Sequence, residues 1–266
     1  MRKQTELLGS RARVKNRYAL IPSEGIPLSQ VPEWPQAQVQ VLAAPALGAG
    51  FTEYRIVLHE GGHGAHPADG EIEHFLFVLD GEVDLVLEPG ASVGFATAPA
   101  SSESSGTRTL AAGGYALVPP SSGYRVTAHR ASTLLLLRKR YERVAHVKEF
   151  APVIGNEADV PGEVYMGDDG ALLQSLIPAD LSFDLAMNIF TFQIGHSLPV
   201  TETHVMEHGL VVLAGKGLYY LDDTWMEVEA SDFIWMGPYC PQSYYATGPE
   251  PTRYIYYKNM NRDIPL

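Results

Sequence analysis

The sequence ETHVMEHGLVVLAGKG, residues 202–217, decides the fold and the chemistry expected of this chain. It begins with three side chains that bind metal ions well, Glu202, His204 and His208, and every gap between them is even. Because side chains alternate between the two faces of a β-strand, even gaps place these three donors on one face. We therefore expect them to converge on one metal ion.

An alternative fits the same letters. Residues 204–208 match H-x-x-E-H, the signature of inverted zinc peptidases, in which two histidines one helical turn apart bind zinc. The sequence that follows argues against a helix, because an apolar run, the turn at 215–217 and a second apolar run at 218–221 indicate a hairpin. A helix would also point Glu202 away from His204, since positions two apart face different directions. We therefore favour the strand.

A fourth donor is expected from a neighbouring strand. Residues 232–242 form an apolar run and a proline-containing turn that ends on Gln242, whose amide oxygen is a neutral ligand. Together with Glu202, His204 and His208 it gives two nitrogen and two oxygen donors. Such a set suits manganese(II) or iron(II) with open positions better than a closed tetrahedral zinc site. The structural alternative is that Gln242 only hydrogen-bonds in a turn and that the histidines lie on the surface.

Composition narrows the class of protein. The chain has 266 residues, of which 45% are hydrophobic, enough for the cores of one large or two modest domains. A net charge of -12 argues against a nucleic-acid partner, whose phosphates would be repelled. No stretch approaches the roughly 20 apolar residues of a membrane helix, and no signal sequence begins the chain, so we expect a cytoplasmic protein without a membrane partner. The single cysteine, Cys240, cannot form an internal disulfide and is interpreted as a packing residue.

The chain contains one module twice. EHFLFVLDG at residues 73–81 matches EHGLVVLAG at 207–215, and in both the histidine precedes the last glycine by seven residues. Later segments of the two halves match as well. The predicted organisation is an N-terminal arm, a first module, a connector and a second module, at residues 1–40, 41–144, 145–178 and 179–266.

The alignment of the two modules shows that they differ in their metal-binding side chains. The positions equivalent to Glu202, His204, His208 and Gln242 are Ala68, Gly70, His74 and Tyr124. Since alanine and glycine cannot coordinate through side chains, we expect no metal there and interpret His74 as a packed or hydrogen-bonded residue. His59, His63 and His66 stand among glycines and are expected to belong to a loop.

Short apolar runs separated by Gly, Pro, Asp and Ser indicate an all-β fold, with residues 91–106 as a loop. At this point the second module resembles the cupin superfamily: Gly195, Glu202, His204, His208 and Gly215 match its first motif, and residues 237–242 match its second. Glutamate, histidine and glutamine replace the usual histidine, carboxylate and histidine. The resemblance implies two tandem cupin barrels, that is, double-stranded β-helices of jelly-roll type.

The altered ligand order is similar to that of the (S)-ureidoglycine aminohydrolase family, and the likeness covers nearly the whole chain, including residues 17–22 and 256–262. It implies a manganese enzyme of allantoin and purine catabolism that releases ammonia from (S)-ureidoglycine to give (S)-ureidoglycolate. Our hypothesis is that Glu202 is a ligand that also relays a proton, that Lys258 and Tyr219 bind or polarise the substrate, and that Lys258 assists proton transfer. The alternatives are a surface lysine at a strand end and a core tyrosine with a satisfied hydroxyl.

Two other functions remain open from the residues. Two histidines and a carboxylate also form the oxygen-activating set of an iron(II) oxygenase. A bicupin could instead bind a small ligand without turnover. Exposed sheet edges favour a homo-oligomer in either case.

Overall fold

The computed structural model describes residues 11–89 and 106–263, and within these ranges the regular structure consists of β-strands and three short 3-10 turns, Ser23–Gly25, Pro45–Leu47 and Glu157–Asp159. Almost all of the loop predicted at residues 91–106 lies outside the described residues. The all-β prediction is confirmed. No helix in the described part of the chain is both long and apolar enough to cross a membrane.

The strands of the first half are β1 (Arg13–Val14), β2 (Tyr18–Ile21), β3 (Leu28–Ser29), β4 (Gln38–Ala43), β5 (Phe51–Leu58), β6 (His63–His66), β7 (Ile72–Asp80), β8 (Glu82–Pro89), β9 (Thr107–Ala111), β10 (Gly114–Val118), β11 (Ser122–Ala128) and β12 (Ser132–Arg140). Those of the second half are β13 (Val153–Asn156), β14 (Glu163–Tyr165), β15 (Asp168–Ser175), β16 (Leu185–Phe192), β17 (His208–Ala214), β18 (Lys216–Leu221), β19 (Thr224–Glu229), β20 (Phe233–Met236), β21 (Gln242–Tyr245) and β22 (Thr252–Asn259).

The strands form two barrels, each with a large sheet and a small sheet, and strands β1, β2 and β13 join the barrel of the other half. In the first barrel the large sheet has the order β13-β10-β7-β12-β5-β4-β3 and the small one β6-β11-β8-β9. In the second barrel the orders are β1-β2-β20-β17-β22-β16-β15-β14 and β19-β18-β21. The chain is therefore a pair of jelly-roll barrels joined in tandem.

The arm and the connector contribute strands to the barrels. Strand β2 lies at residues predicted as an arm, yet it pairs with β20 of the second barrel. Strand β13, from the predicted connector, pairs with β10 of the first barrel, while β14 and β15 extend the second. Both additions bury backbone hydrogen-bonding groups that would otherwise form an open edge.

Strand register confirms the repeat. His74 pairs with Val118 on one side and Arg138 on the other. His208 pairs in the same way with Met236 and Lys258. The two histidines therefore occupy equivalent positions, and Arg138 is the counterpart of Lys258.

Three apolar clusters hold the structure together. One fills each barrel, and the third lies between the two large sheets, where Phe51, Phe75, Trp235 and Tyr257 are all buried. The rings of Phe51 and Tyr257 are 4.6 Å apart across this junction. At about 1.5–3 kcal/mol for each large apolar side chain removed from water, this layer holds the barrels back to back.

Candidate active site

A pocket of about 530 Å³ opens into the second barrel. All four sequence-predicted donors line it, as do Tyr219 and Lys258. Side chains that the sequence had not singled out complete the wall, chiefly Tyr165, Asn188, Phe190, Tyr254 and Tyr256.

The donors do not share one strand, so this part of the sequence prediction is wrong. Residues 203–207 lie outside any strand, β17 begins only at His208, and Glu202 forms an isolated bridge with Gln242. The chain leaves the sheet where Glu207 turns toward the other barrel; its carboxylate accepts from the backbone N–H of Gly50 at 3.0 Å and from the Trp235 indole at 3.2 Å. Even spacing therefore does not explain the convergence.

Because residues 203–207 lie outside regular structure, the alternative in which residues 204–208 form a zinc-binding helix is also wrong. His204 lies in an irregular segment whose carbonyl accepts from the Tyr239 N–H at 2.7 Å, and His208 starts a strand. The Glu207 carboxylate points out of the barrel, toward Gly50 and Trp235. The arrangement that an inverted zinc peptidase needs is thus not formed by residues 204–208.

Backbone pairing brings the donors together from separate segments. Glu202 and Gln242 exchange backbone hydrogen bonds at 2.8 and 2.9 Å, which places the start of β21 beside the irregular segment. The Nε2 atoms of His204 and His208 are 3.2 Å apart, and the Gln242 amide nitrogen is 3.2 Å from His204 Nε2. Two donors bound at right angles to one ion at about 2.1 Å lie about 3 Å apart. The spacing of the imidazoles therefore fits a shared six-coordinate ion.

The orientation of His208 supports this arrangement. Its Nδ1 lies 3.2 Å from the Tyr257 carbonyl oxygen. Because a carbonyl can only accept, Nδ1 carries the proton, and the lone pair of the neutral ring is on Nε2, facing His204. Burial, followed by the nearby His204, lowers the pKa of His208 to about 3, and burial lowers the pKa of His204 as well. Both rings are therefore neutral at physiological pH, as metal ligands must be.

The two oxygen donors are held by tyrosines. The Tyr165 hydroxyl donates to Glu202 Oε1 at 2.7 Å, and the Tyr219 hydroxyl donates to Gln242 Oε1 at 3.2 Å. Coordination through the Gln242 oxygen requires its amide to turn over, which would place the NH₂ group toward Tyr219. In the described residues no group of three or more His, Cys, Asp or Glu side chains is arranged to hold a metal ion. The four-residue ligand set therefore stays a prediction.

Lys258 and Tyr219 line the pocket from different sheets of the second barrel, Lys258 from β22 of the large sheet and Tyr219 from β18 of the small one. Lys258 pairs with His208 across β22 and β17, and its charge contributes to the lowered pKa values of both histidines. Tyr219 is 2% exposed, and burial raises the pKa of its hydroxyl, which stays protonated. Its neighbour Tyr220 faces the opposite side and packs on Trp225.

Two of the pocket-lining residues that the sequence analysis did not name could have been predicted from the sequence. Tyr254, Tyr256 and Lys258 share one face of β22 by simple alternation, so the two tyrosines follow from placing Lys258 in the site. Tyr165 had no such signal, because it belongs to the connector and reaches the pocket only through pairing of β14 with β15. Cys240, by contrast, packs in the core of the second barrel as predicted, and burial raises the pKa of its thiol to about 11.

The first barrel differs from the prediction in two respects. His63 and His66 lie in strand β6, which pairs with β11, and not in a loop. Tyr124 pairs with His66, as Gln242 pairs with Glu202, so His66 rather than Ala68 occupies the glutamate position. The segment before the shared histidine is two residues longer in the first barrel, which an ungapped alignment cannot show. His66 accepts from Arg138 at 3.2 Å, and that guanidinium opposes a cation at this place.

His74 is packed, with its ring 4.2 Å from that of His66 and 5.2 Å from that of Tyr124. Neither ring nitrogen has a hydrogen-bond partner among the described residues, and burial keeps the pKa of His74 well below its usual range. Of the two roles predicted for this residue, packing is the one observed.

Comparison with known proteins gives the class first. A cupin 2 conserved barrel domain protein from Leptotrichia buccalis superposes with a TM-score of 0.58 at 15% identity, covering 87% of this chain and 92% of that one, a likeness that concerns the fold alone. With its paired barrels and its pocket inside the second, the chain is a bicupin.

No family model matches the chain. Individual proteins that resemble this chain in sequence or in structure give a more specific assignment than the fold does. The (S)-ureidoglycine aminohydrolase of Escherichia coli K12 is 36% identical over 98% of this chain and 95% of its own length. The crystal structure of a putative glyoxylate-induced protein from Pseudomonas aeruginosa superposes with a TM-score of 0.84 at 33% identity, covering 98% of this chain and 94% of that one. The chain belongs to the (S)-ureidoglycine aminohydrolase family and is a hydrolase.

Proposed function

We propose that this chain hydrolyses (S)-ureidoglycine to (S)-ureidoglycolate and ammonia with a divalent cation, manganese in the first instance, in the pocket of the second barrel. The observation that carries the proposal is the pair of neutral imidazoles, 3.2 Å apart at Nε2, in a pocket that also holds a carboxylate, an amide and a lysine. The relative from Escherichia coli, which matches nearly end to end, supports the substrate and the reaction class.

The reaction exchanges one group on one carbon. The bond from the central carbon to its amine breaks, a bond to the oxygen of water forms, and the amine leaves with one proton taken from that water. Glu202, His204, His208 and Gln242 would hold the cation. When bound, the cation supplies Lewis acidity and an anchor for the substrate carboxylate.

The chain's own groups orient the substrate. The Lys258 ammonium attracts the substrate carboxylate and donates hydrogen bonds to it. Phe190 and Tyr256 stack 5.7 Å apart on one wall and provide an apolar surface for the flat ureido group. Holding the substrate at both places leaves one face of the central carbon toward water, which makes the reaction stereospecific by geometry.

Proton transfer falls to Glu202 and Lys258. Glu202 Oε1 accepts from Tyr165, so its other oxygen is available to take a proton from water or deliver one to the departing amine. The hydroxyl of Tyr165 cannot itself act as the base, because burial and the adjacent Glu202 raise its pKa. Tyr219 fixes the Gln242 amide and hence one wall of the pocket.

Anaerobic ammonia release from fresh (S)-ureidoglycine tests the proposal. We expect release that depends on added manganese, a loss of at least about 100-fold in His208→Ala, and full activity in His129→Ala. His129 is a suitable control, because it is half-exposed on the first barrel and pairs with Asp84 at 2.9 Å. Oxygen consumption coupled to turnover would identify an iron(II) oxygenase instead. Tight binding of manganese and substrate without ammonia would leave a ligand-binding bicupin.

The cytoplasmic location and the homo-oligomer remain proposals. The first is supported by the single, buried cysteine, and the second by exposed apolar side chains on strands, such as Val164 and Trp225. Sedimentation of the purified protein would test the oligomer.

A further inference from the structure

A second cavity, of about 300 Å³, lies where the two barrels meet. Its walls include equivalent strands of the two barrels, residues 77–79 of β7 and 211–213 of β17. None of the residues that line it lines the catalytic pocket. The cavity is therefore a separate place in the fold.

Arg55 projects into this junction from β5 and is only 8% exposed. Its guanidinium donates to the Gln40 amide oxygen at 3.2 Å and to the Ser231 carbonyl at 2.8 Å, both of which are uncharged. Among residues 11–89 and 106–263, no carboxylate oxygen lies within 4.0 Å of a nitrogen of this guanidinium, which is the limit for an ion pair. This buried cation therefore has no direct counterion, and a buried charge without one is costly.

The nearest acids do not supply the missing charge. Burial raises the pKa of Glu53 to about 8, which leaves that carboxyl largely protonated at neutral pH. Asp232 is held by Arg11 through contacts of 2.5 and 3.0 Å. Glu53 is thus largely neutral and Asp232 is shared with Arg11, so neither acid forms a direct ion pair with Arg55. Burial lowers the pKa of Arg55, and the charge of Asp232 opposes that effect.

A second guanidinium lines the same cavity. Arg253, on β22, is half-buried and bonds to Glu157 at 2.5 Å, and Glu157 is also a lining residue. Two arginines and one carboxylate leave the cavity with one net positive charge. Much of the remaining lining is apolar, and Leu79 and Leu213 are partly buried residues within it.

We propose that this cavity binds a small monocarboxylate, whose oxygens pair with Arg55 and Arg253 and whose short apolar part lies against Leu79 and Leu213. The planar guanidinium fork matches a carboxylate, and one negative charge balances the one positive charge left over. Because both barrels line the cavity, the bound anion would also strengthen their association. The proposal does not depend on the reaction catalysed in the second barrel.

Calorimetric titration of metal-free protein with sodium propionate tests this site. Ionic strength is held constant with sodium chloride, and the Lys258→Met background removes the cation of the catalytic pocket. We expect saturable binding at one site per chain and a rise in Tm. The Kd should weaken at least tenfold in Arg253→Gln and in Arg55→Gln but stay within twofold in Arg125→Gln. Arg125 is the matched control, since it is exposed and pairs with the exposed Glu88.

Arg253→Gln carries the test if Arg55→Gln does not fold, because Arg253 is partly exposed. The proposal is overturned by the absence of saturable propionate binding or by an unchanged Kd in Arg253→Gln. Phosphate or sulfate raising Tm while propionate does not would also overturn it, since the site would then take inorganic oxyanions.

Discussion

Glu53 provides the sharpest test of the electrostatics at the barrel junction. It is 4% exposed on β5, its Oε2 has no hydrogen-bond partner in the described part of the chain, and burial raises its pKa from 4.5 to about 8. The nearby guanidinium of Arg55 lowers this value but does not offset burial. The folded protein therefore holds a proton on Glu53 that the unfolded chain releases above pH 4.5.

The sign follows from proton linkage. Below pH 4.5 both states bind the proton and the stabilising contribution is fully present; it is lost as pH rises toward 8, because only the folded state then binds the proton. The slope is about 1.4 kcal/mol per pH unit, so the free energy of unfolding falls by up to about 5 kcal/mol across this window. Glu53→Gln is neutral at every pH and should not show this fall.

Urea unfolding of metal-free wild type and Glu53→Gln, followed by tryptophan fluorescence from pH 4.5 to 9, measures the difference. The variant should gain relative stability steadily as pH rises, whereas Glu88→Gln, a change at an exposed carboxylate that pairs with Arg125, should run parallel to wild type. Parallel curves for Glu53→Gln and wild type would refute the argument, because Glu53 would then titrate alike in the folded and unfolded chain.

Three further outcomes are expected. Tyr165→Phe removes the 2.7 Å hydrogen bond to Glu202 and should lower kcat and manganese affinity about 10- to 100-fold, with Tyr220→Phe unaffected; unchanged manganese titration in Tyr165→Phe would contradict the role. Gly81→Ala should lower stability in urea by more than Gly70→Ala, since both have positive φ but only at Gly81 would a Cβ meet the Ala131 carbonyl, at 2.6 Å; equal losses would contradict the steric argument. Chelation with EDTA should abolish ammonia release and lower Tm, and manganese should restore both; activity that persists in EDTA would speak against a metal role.

Much of the architecture was predictable because it depends on local pattern. Alternating apolar residues and punctuating glycines predict strands, and the matched segments at 73–81 and 207–215 predict two equivalent modules, which the register of His74 and His208 confirms. The residue types at the candidate site were also readable, since few side chains bind metal ions. The prediction that Ala68 is the counterpart of Glu202 was wrong, because an alignment without gaps cannot show that one loop is two residues longer than the other. Such a difference leaves no trace in the strands on either side.

The sequence by itself determined the all-β class, the duplicated module and the chemistry available to the second barrel, because side-chain direction along a strand repeats every two residues. Only the tertiary structure decided which groups meet. His204 reaches His208 from an irregular segment, Tyr165 reaches Glu202 from the connector, and Arg55 reaches the same cavity as Arg253 across the barrel junction. These meetings depend on strand register and on packing between distant segments, which no spacing along the chain encodes.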